Sequence, residues 1–68
     1  MISAMKLARI KKEMSQIDLW IKTGIPQWRL SLLERGIRPK PEEAKIVAEV
    51  LEEKQEEIFP SFAQGKKN

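Results

Sequence analysis

The sequence predicts an all-α fold, a compact bundle of five short helices in one domain. Its 68 residues are enough for a single small core. Residues that start and stop helices recur along the chain, and no segment alternates apolar and polar residues as a half-buried strand would. We expect the domain to span residues 1–60 and a flexible C-terminal tail to span residues 61–68.

The first two helices are predicted from their N-terminal caps. Ser3 can cap helix one. The inner side of that helix is expected to carry Leu7, Ile10 and Met14. Ser15 can cap helix two, and Asp18 three residues later suits the positive end of the helix dipole.

A glycine is predicted to end each of helices two and three. Gly24 ends helix two, because glycine accepts the left-handed conformation that follows many helices. Pro26 begins helix three, where its fixed φ and missing N–H are tolerated. Leu30 and Leu33 are the predicted inward positions of helix three, and Gly36 ends it.

The last two helices follow a stiff basic loop, "RPKP". Helix four is expected to begin at Pro41 or Glu42. Its predicted inward face, at helical spacing, consists of Ala44, Val47, Ala48 and Leu51. The stretch "EEIF" is predicted to form a short fifth helix that closes before Pro60.

Composition argues against catalysis. Without cysteine there is no thiolate nucleophile or thiolate metal site, and without histidine the usual general base and the commonest metal ligand are missing. The ten carboxylates show no recognisable catalytic spacing. We therefore expect no enzyme, no cofactor and no metal.

The location of the protein is predicted from the length of its apolar stretches. "MISAMKLARIKK" contains no run long enough for a signal peptide, and no segment approaches the roughly 18 apolar residues of a membrane span. The sequence therefore predicts a soluble cytoplasmic protein without a membrane partner.

Charge is distributed unevenly along the chain. Residues 1–40 hold nine Lys or Arg against three acidic residues, whereas residues 41–60 hold two lysines against seven glutamates. One half is a candidate surface for a polyanion and the other half would repel one. Ordinary solvated helix charge is the alternative, so the asymmetry needs a motif beside it.

That motif lies in "SQIDLWIKTGIPQWRLSLLERG". Leu19 is inward on helix two, Gly24 lies in the turn, Ile25 fills the corner, and Leu30 and Leu33 are inward on helix three, a spacing typical of a helix-turn-helix. The stretch resembles the Cro/repressor-type helix-turn-helix family, also called the xenobiotic-response-element family. "LARIKKEM" resembles the first helix of that family and "AKIVAEVL…EEIFP" its fourth and fifth, so the resemblance covers about residues 4–60. It implies a lambda-repressor-like DNA-binding fold.

The resemblance, with the chemistry of the side chains, gives each candidate residue a role. It implies a recognition helix at about residues 26–35 in the major groove. The expected base contacts are Pro26, Gln27, Trp28, Ser31 and Leu32. The expected phosphate contacts are Gln16, Arg29, Arg35, Arg38 and Lys40. Arg9 and Glu34 are expected to form an internal ion pair.

Three features depart from the family pattern. Glu13 stands where the turn before helix two usually carries glycine, so this residue must either adopt positive φ or end helix one differently. The "GIRPKP" loop is about one residue short, which puts its phosphate contacts in doubt. Trp20 replaces a small residue at a close helix approach.

Trp20 extends an apolar patch at helical spacing with Ile17 and Ile21. We expect an enlarged core beneath helix one, with Trp20 inside it. The alternative is an exposed patch that binds another protein, and this alternative fails if both isoleucines are buried.

The sequence thus favours a sequence-specific double-stranded DNA-binding regulator of prokaryotic or phage type. It would act as a homodimer, one that forms in solution or only on DNA, without a small-molecule ligand. The alternative is a protein-interaction module, an antitoxin or co-regulator, that uses the patch on helix two.

Overall fold

The computed structural model describes residues 3–60, and within that range the chain forms five helices and no strand. The helices are α1 (Ala4–Lys11), α2 (Gln16–Thr23), α3 (Gln27–Glu34), α4 (Pro41–Leu51) and α5 (Gln55–Ile58). This confirms the predicted all-α fold. The tail that the sequence predicts at 61–68 lies outside the described residues.

The predicted caps begin α1 and α2. Ser3 Oγ accepts a hydrogen bond from the Lys6 N–H at 3.1 Å. Ser15 Oγ accepts from the Asp18 N–H at 3.0 Å, while the Asp18 carboxylate accepts from the Ser15 N–H at 2.9 Å. This reciprocal pair satisfies two backbone donors that helix geometry leaves unpaired. The pKa of Asp18 is lowered, because the Ser15 N–H donates to the carboxylate and favours its ionised form, and the Ser15 hydroxyl adds to that effect.

The turn between α2 and α3 is closed by one glycine and one threonine. Gly24 has φ +81° and its N–H donates to Trp20 O at 2.7 Å, the bond of a left-handed helix end. Thr23 Oγ1 donates to Leu19 O and accepts from the Ile25 N–H. Pro26 is extended and caps α3, so that α3 begins at Gln27, one residue later than predicted.

Helix α1 ends as a glycine-capped helix does, but with glutamate. Glu13 has φ +59°, its N–H donates to Ile10 O at 2.8 Å, and the Met14 N–H donates to Arg9 O at 3.1 Å. The same pair of bonds closes α3 around Gly36. The turn of the family is therefore kept, and Glu13 holds a conformation that is less favourable by about 1 kcal/mol for a residue with a Cβ.

The core lies where α2 packs on α3 and α4, α1 packs on α3 and α5, and α4 packs on α5. Its side chains are Met5, Ala8, Leu19, Ile25, Leu30, Leu33, Ala44, Val47, Ala48, Leu51, Ile58 and Phe59. The inward positions predicted on helices three and four are confirmed. On α1 the prediction was wrong for Leu7 and Ile10, which are about half exposed while Met5, Ala8 and Arg9 face inward. Met14, just beyond α1, packs against the core as predicted.

The apolar patch of α2 is on the surface, so the expectation of an enlarged core was wrong. Ile17 is 51%, Trp20 43% and Ile21 76% exposed. Leu19 already fills the inward side of α2, so Trp20, one residue further around the helix, turns outward. The small-residue position of the family is thus accommodated by orientation and not by a larger core.

No helix in the described part of the chain is both long enough and apolar enough to cross a membrane.

Candidate nucleic-acid interface

The outer side of α3 is the surface that the sequence assigns to base contact. Leu30 and Leu33 anchor α3 in the core, so the intervening positions face away from it. Trp28 is 67% exposed. The other predicted base-contact residues are partly exposed: Pro26, Gln27, Ser31 and Leu32. The structure therefore places all five predicted base-contact residues within reach of solvent.

A chain of side-chain hydrogen bonds runs from this surface into the domain. Gln27 Nε2 donates to Gln16 Oε1 at 3.3 Å, and Gln16 Nε2 donates to Glu34 Oε1 at 3.1 Å. Glu34 in turn binds Arg9. The two amides at the starts of α2 and α3 are thereby held in one orientation before any ligand arrives.

The Arg9–Glu34 pair anchors that chain. Arg9 Nε lies 2.7 Å from Glu34 Oε2, and its Nη1 donates to Met14 O at 2.8 Å. The two side chains are only 10% and 6% exposed. Every buried polar side-chain atom in the described range has a hydrogen-bond partner. The pair thus joins α1 to the end of α3 without leaving an uncompensated charge.

A polar groove of about 460 Å³ opens beside the amide chain, between α1, the start of α2 and the end of α3. Its lining consists of Ser3, Lys6, Gln16, Ser31, Glu34, Arg35 and Gly36. Lys6 and Arg35 are exposed cations, whereas the Glu34 carboxylate is engaged by Arg9 and Gln16. The groove therefore offers an anion two cationic groups next to the predicted base-reading surface.

Arg29 does not face this groove. Its Nε and Nη2 lie 2.9 and 2.8 Å from the two carboxylate oxygens of Glu43 in α4, and Nη2 also lies 3.5 Å from Arg38 O. The Arg29 and Glu43 side chains are 18% and 12% exposed. The geometry therefore disfavours the phosphate contact that the sequence predicts for Arg29.

The contacts between Arg29 and Glu43 shift the pKa values of both side chains. The hydrogen bonds from Arg29 lower the pKa of Glu43, since they favour its ionised form, and the Lys40 N–H adds to that effect at 2.9 Å. Glu43 also raises the pKa of Arg29. Both groups are charged at neutral pH and neutralise each other.

Clusters of basic residues also occur at two other places. Arg35, Arg38 and Lys40 are exposed at the end of α3 and in the following loop. At the other end of α1, Lys12 is paired with Glu52, and Lys11 lies 3.9 Å from Glu53. The loop after α3 therefore carries exposed cations, while two lysines at the end of α1 approach two glutamates that follow α4.

The sequence did not indicate that Glu43 would contact Arg29. It lies in a run of glutamates, and its partner is 14 residues earlier on another helix. A contact of this kind depends on the angle between α3 and α4, which no local spacing encodes. The opposite charges of Arg29 and Glu43 on either side of the "RPKP" loop were the one available signal.

Together, the glycine turn between α2 and α3 and the solvent-facing side of α3 define a helix-turn-helix protein of the Cro/repressor DNA-binding class. Comparison with known families agrees: the model of the family described as "Helix-turn-helix" matches residues 5–58. The chain belongs to that family, whose members are DNA-binding regulators. Comparisons with curated proteins and with solved structures gave no significant match.

Proposed function

We propose that the protein is a sequence-specific regulator of prokaryotic or phage type that reads double-stranded DNA with α3 in the major groove. The observation that carries this proposal is the Gln27–Gln16 hydrogen bond at the exposed start of α3. One N–H of Gln27 binds Gln16, so the second N–H and Oε1 remain for a base edge. That arrangement suits adenine, which accepts at N7 and donates from N6.

Neighbouring side chains complete the proposed reading surface. Ser31 can donate to or accept from any base edge, and Leu32 can contact a thymine methyl group. Trp28, the most exposed of the set, lies beside Gln27 where an aromatic side chain can meet bases or the sugar edge of the groove. Pro26 precedes them at the cap of the helix.

Phosphate contacts would set the register of α3 without reading sequence. Gln16 lies at the first turn of α2, where backbone N–H groups and the helix dipole favour an anion. Arg35, Arg38 and Lys40 supply exposed positive charge at the end of α3 and in the loop that follows it. We omit Arg29 from this set because Glu43 already occupies its guanidinium.

We further propose that two copies bind a two-fold operator, one α3 to each half-site. The half-sites would then lie about one helical turn, or ~34 Å, apart. Symmetric dimers are the commonest closed assemblies, and a pair of sites on one duplex can hold together two copies that associate weakly in solution.

Selection of bound duplexes from a random pool tests this function. We expect enrichment of a two-fold sequence with adenine at a fixed position in each half-site and half-site centres one helical turn apart. The Gln27→Ala variant should lose preference at that position alone, while Gln55→Ala, a glutamine of α5, should select the same sequence as the wild type. A pool that shows no enrichment after repeated rounds contradicts sequence-specific binding.

A second candidate function is a protein-interaction module, an antitoxin or co-regulator. The exposure of Ile17, Trp20 and Ile21 on α2 favours it, since exposed apolar clusters often mark contact sites. A partner captured by the wild type should be lost with Ile21→Lys and retained with Leu7→Lys, a matched change at an exposed apolar residue of α1. Equal capture by both variants would exclude the α2 patch as the contact.

A further inference from the structure

Two groups from two segments converge on the carboxylate of Glu43. Arg29 from α3 binds both oxygens, with Nε at 2.9 Å and Nη2 at 2.8 Å. The Lys40 N–H from the loop donates to Oε1 at 2.9 Å. Arg29 Nη2 also approaches Arg38 O at 3.5 Å. One side chain of α4 is therefore linked to the recognition helix and to the loop that follows it.

The contact between Arg29 and Glu43 is of a strong type. A guanidinium that binds both oxygens of a carboxylate forms the more rigid and stronger type of charged hydrogen bond. With the two side chains 18% and 12% exposed, salt screens the contact less than it screens a surface pair. If Arg29 left for a DNA phosphate, the carboxylate would stay behind in a largely buried place without its main partner. Arg29 is therefore better suited to bracing the structure than to contacting DNA.

The contact between Arg29 and Glu43 connects two parts of the proposed DNA interface. α3 carries the proposed base-reading side chains, and the loop from 35 to 40 carries three of the proposed phosphate contacts. The start of that loop is held to α3 by the Gly36 N–H, which donates to Leu33 O, and by the Ile37 N–H, which donates to Leu32 O. The rest of the loop, from Arg38 to Lys40, is linked to α3 through the bonds that Arg29 and Glu43 make.

We propose that Glu43 is a positioning residue of the DNA interface, which holds α3 and the following loop as one unit so that base and phosphate contacts form together. The inference rests on the proposed DNA-binding function. It makes a prediction opposite in sign to simple electrostatics. Removal of a negative charge close to a polyanion should tighten binding, whereas loss of the brace should weaken it.

The test compares Glu43→Gln with Glu42→Gln, which removes the same charge one residue away at an exposed position. Affinity for a duplex from the selection is measured by fluorescence anisotropy at several salt concentrations. We expect Glu43→Gln to weaken binding about three- to tenfold, the loss of roughly one well-placed contact. Glu42→Gln should bind as tightly as the wild type or more tightly. If the two variants bind alike, Glu43 has no positioning role.

The salt dependence of DNA binding by Arg29→Gln tests whether Arg29 contacts a phosphate. Each phosphate neutralised by a cation contributes about 0.9 to the slope of log affinity against log salt. We expect Arg29→Gln and Glu43→Gln to weaken binding with the same slope, because both variants remove the same contact. A slope for Arg29→Gln that is lower than that of Glu43→Gln by about one unit would make Arg29 a phosphate ligand and overturn the inference.

Two controls separate the possible failures. Circular dichroism at the binding temperature establishes that each variant is folded. If Glu43→Gln is not, Glu43→Asp carries the test: it keeps the charge but shortens the reach to Arg29, so weaker binding supports the brace and wild-type binding contradicts it. A wild type that binds no duplex at low salt overturns both the proposed function and the inference, whereas a binding wild type with an unaffected Glu43→Asp overturns the inference alone.

Discussion

Gln27 Nε2 lies 3.3 Å from Gln16 Oε1, so an amide at the start of α3 is held by an amide at the start of α2. Glu34 Oε1 accepts from the other end of Gln16, and Arg9 anchors Glu34. A buried ion pair therefore fixes the orientation of a partly exposed amide through a single intervening side chain. Such an arrangement reduces the conformational entropy that Gln27 would lose on binding a base.

The Arg9–Glu34 pair should dominate the stability of the domain among its ion pairs. Glu34→Ala leaves the Arg9 guanidinium largely buried without its carboxylate, so we expect a loss of about 3 kcal/mol in the free energy of unfolding. Glu53→Ala removes a glutamate that lies 3.9 Å from the exposed Lys11, and should cost less than ~1 kcal/mol. Urea denaturation measures both. Equal losses would mean that the anchor has no special role.

Substitution of Glu13 by glycine should stabilise the folded domain. Its φ of +59° favours glycine, so Glu13→Gly should raise the free energy of unfolding by up to about 1 kcal/mol. Glu52 has the same φ but is paired with Lys12, so Glu52→Gly should gain less because it also removes that ion pair. Thermal denaturation of the two variants checks the order. A destabilised Glu13→Gly would show that the Glu13 side chain makes a compensating contact.

Acid should weaken the domain through carboxylates that are bonded in the folded state. The pKa of Glu43 is lowered from 4.5 by Arg29, and the pKa of Asp18 is lowered from 3.8 by Ser15. A carboxyl group with a lowered pKa contributes stability that is fully present above its unfolded pKa. That contribution is lost as the pH falls through the folded pKa.

Urea denaturation of the wild type across this acidic range should therefore show falling stability. Glu43→Gln should have a flatter pH profile than the wild type, since the substituted side chain does not titrate. Glu42→Gln is the control, and we expect its profile to stay parallel to that of the wild type. Parallel profiles for all three proteins would contradict the linkage assigned to Glu43.

The two tryptophans should report on different surfaces. Trp20→Phe leaves Trp28 as the only tryptophan of the chain, and Trp28→Phe leaves Trp20. If α3 enters the major groove, addition of duplex DNA should change the emission of Trp28 in the first variant and leave that of Trp20 in the second almost unchanged. The reverse result would place DNA against α2.

Local signals predicted the helices and their ends. Ser3, Ser15, Gly24 and Gly36 act within a few residues of their own positions, so their roles could be inferred from the chain alone. Helical spacing was less informative where apolar residues occur on more than one face of a helix. On α1, Leu7 and Ile10 fit an inward pattern, yet the Arg9 ion pair takes the inward side instead.

The predictions for the candidate site also divide into those that the local sequence supports and those that depend on packing between helices. Arg9 and Glu34 form the ion pair that the family pattern implies. The hydrogen bonds that join Gln27 to Gln16 and Gln16 to Glu34 were not predicted, because they depend on how the α2–α3 turn sets the separation of the two helices. The burial of Trp20 was misjudged and the pairing of Arg29 with Glu43 was not predicted, because the orientation of each side chain depends on which residues of other helices fill the space around it. Glu43 was not predicted, since its role exists only where α3, α4 and the loop between them meet.

DNA binding itself is tested by titration of labelled duplex into the wild type at low and raised salt, beside Gln27→Ala and Gln55→Ala. We predict binding by the wild type that weakens steeply with salt, because phosphate contacts release counterions. On a selected duplex, Gln27→Ala should lose about 1–3 kcal/mol of preference for the correct base, and Gln55→Ala should behave as the wild type. Absence of binding by the folded wild type at low salt would contradict the proposed function.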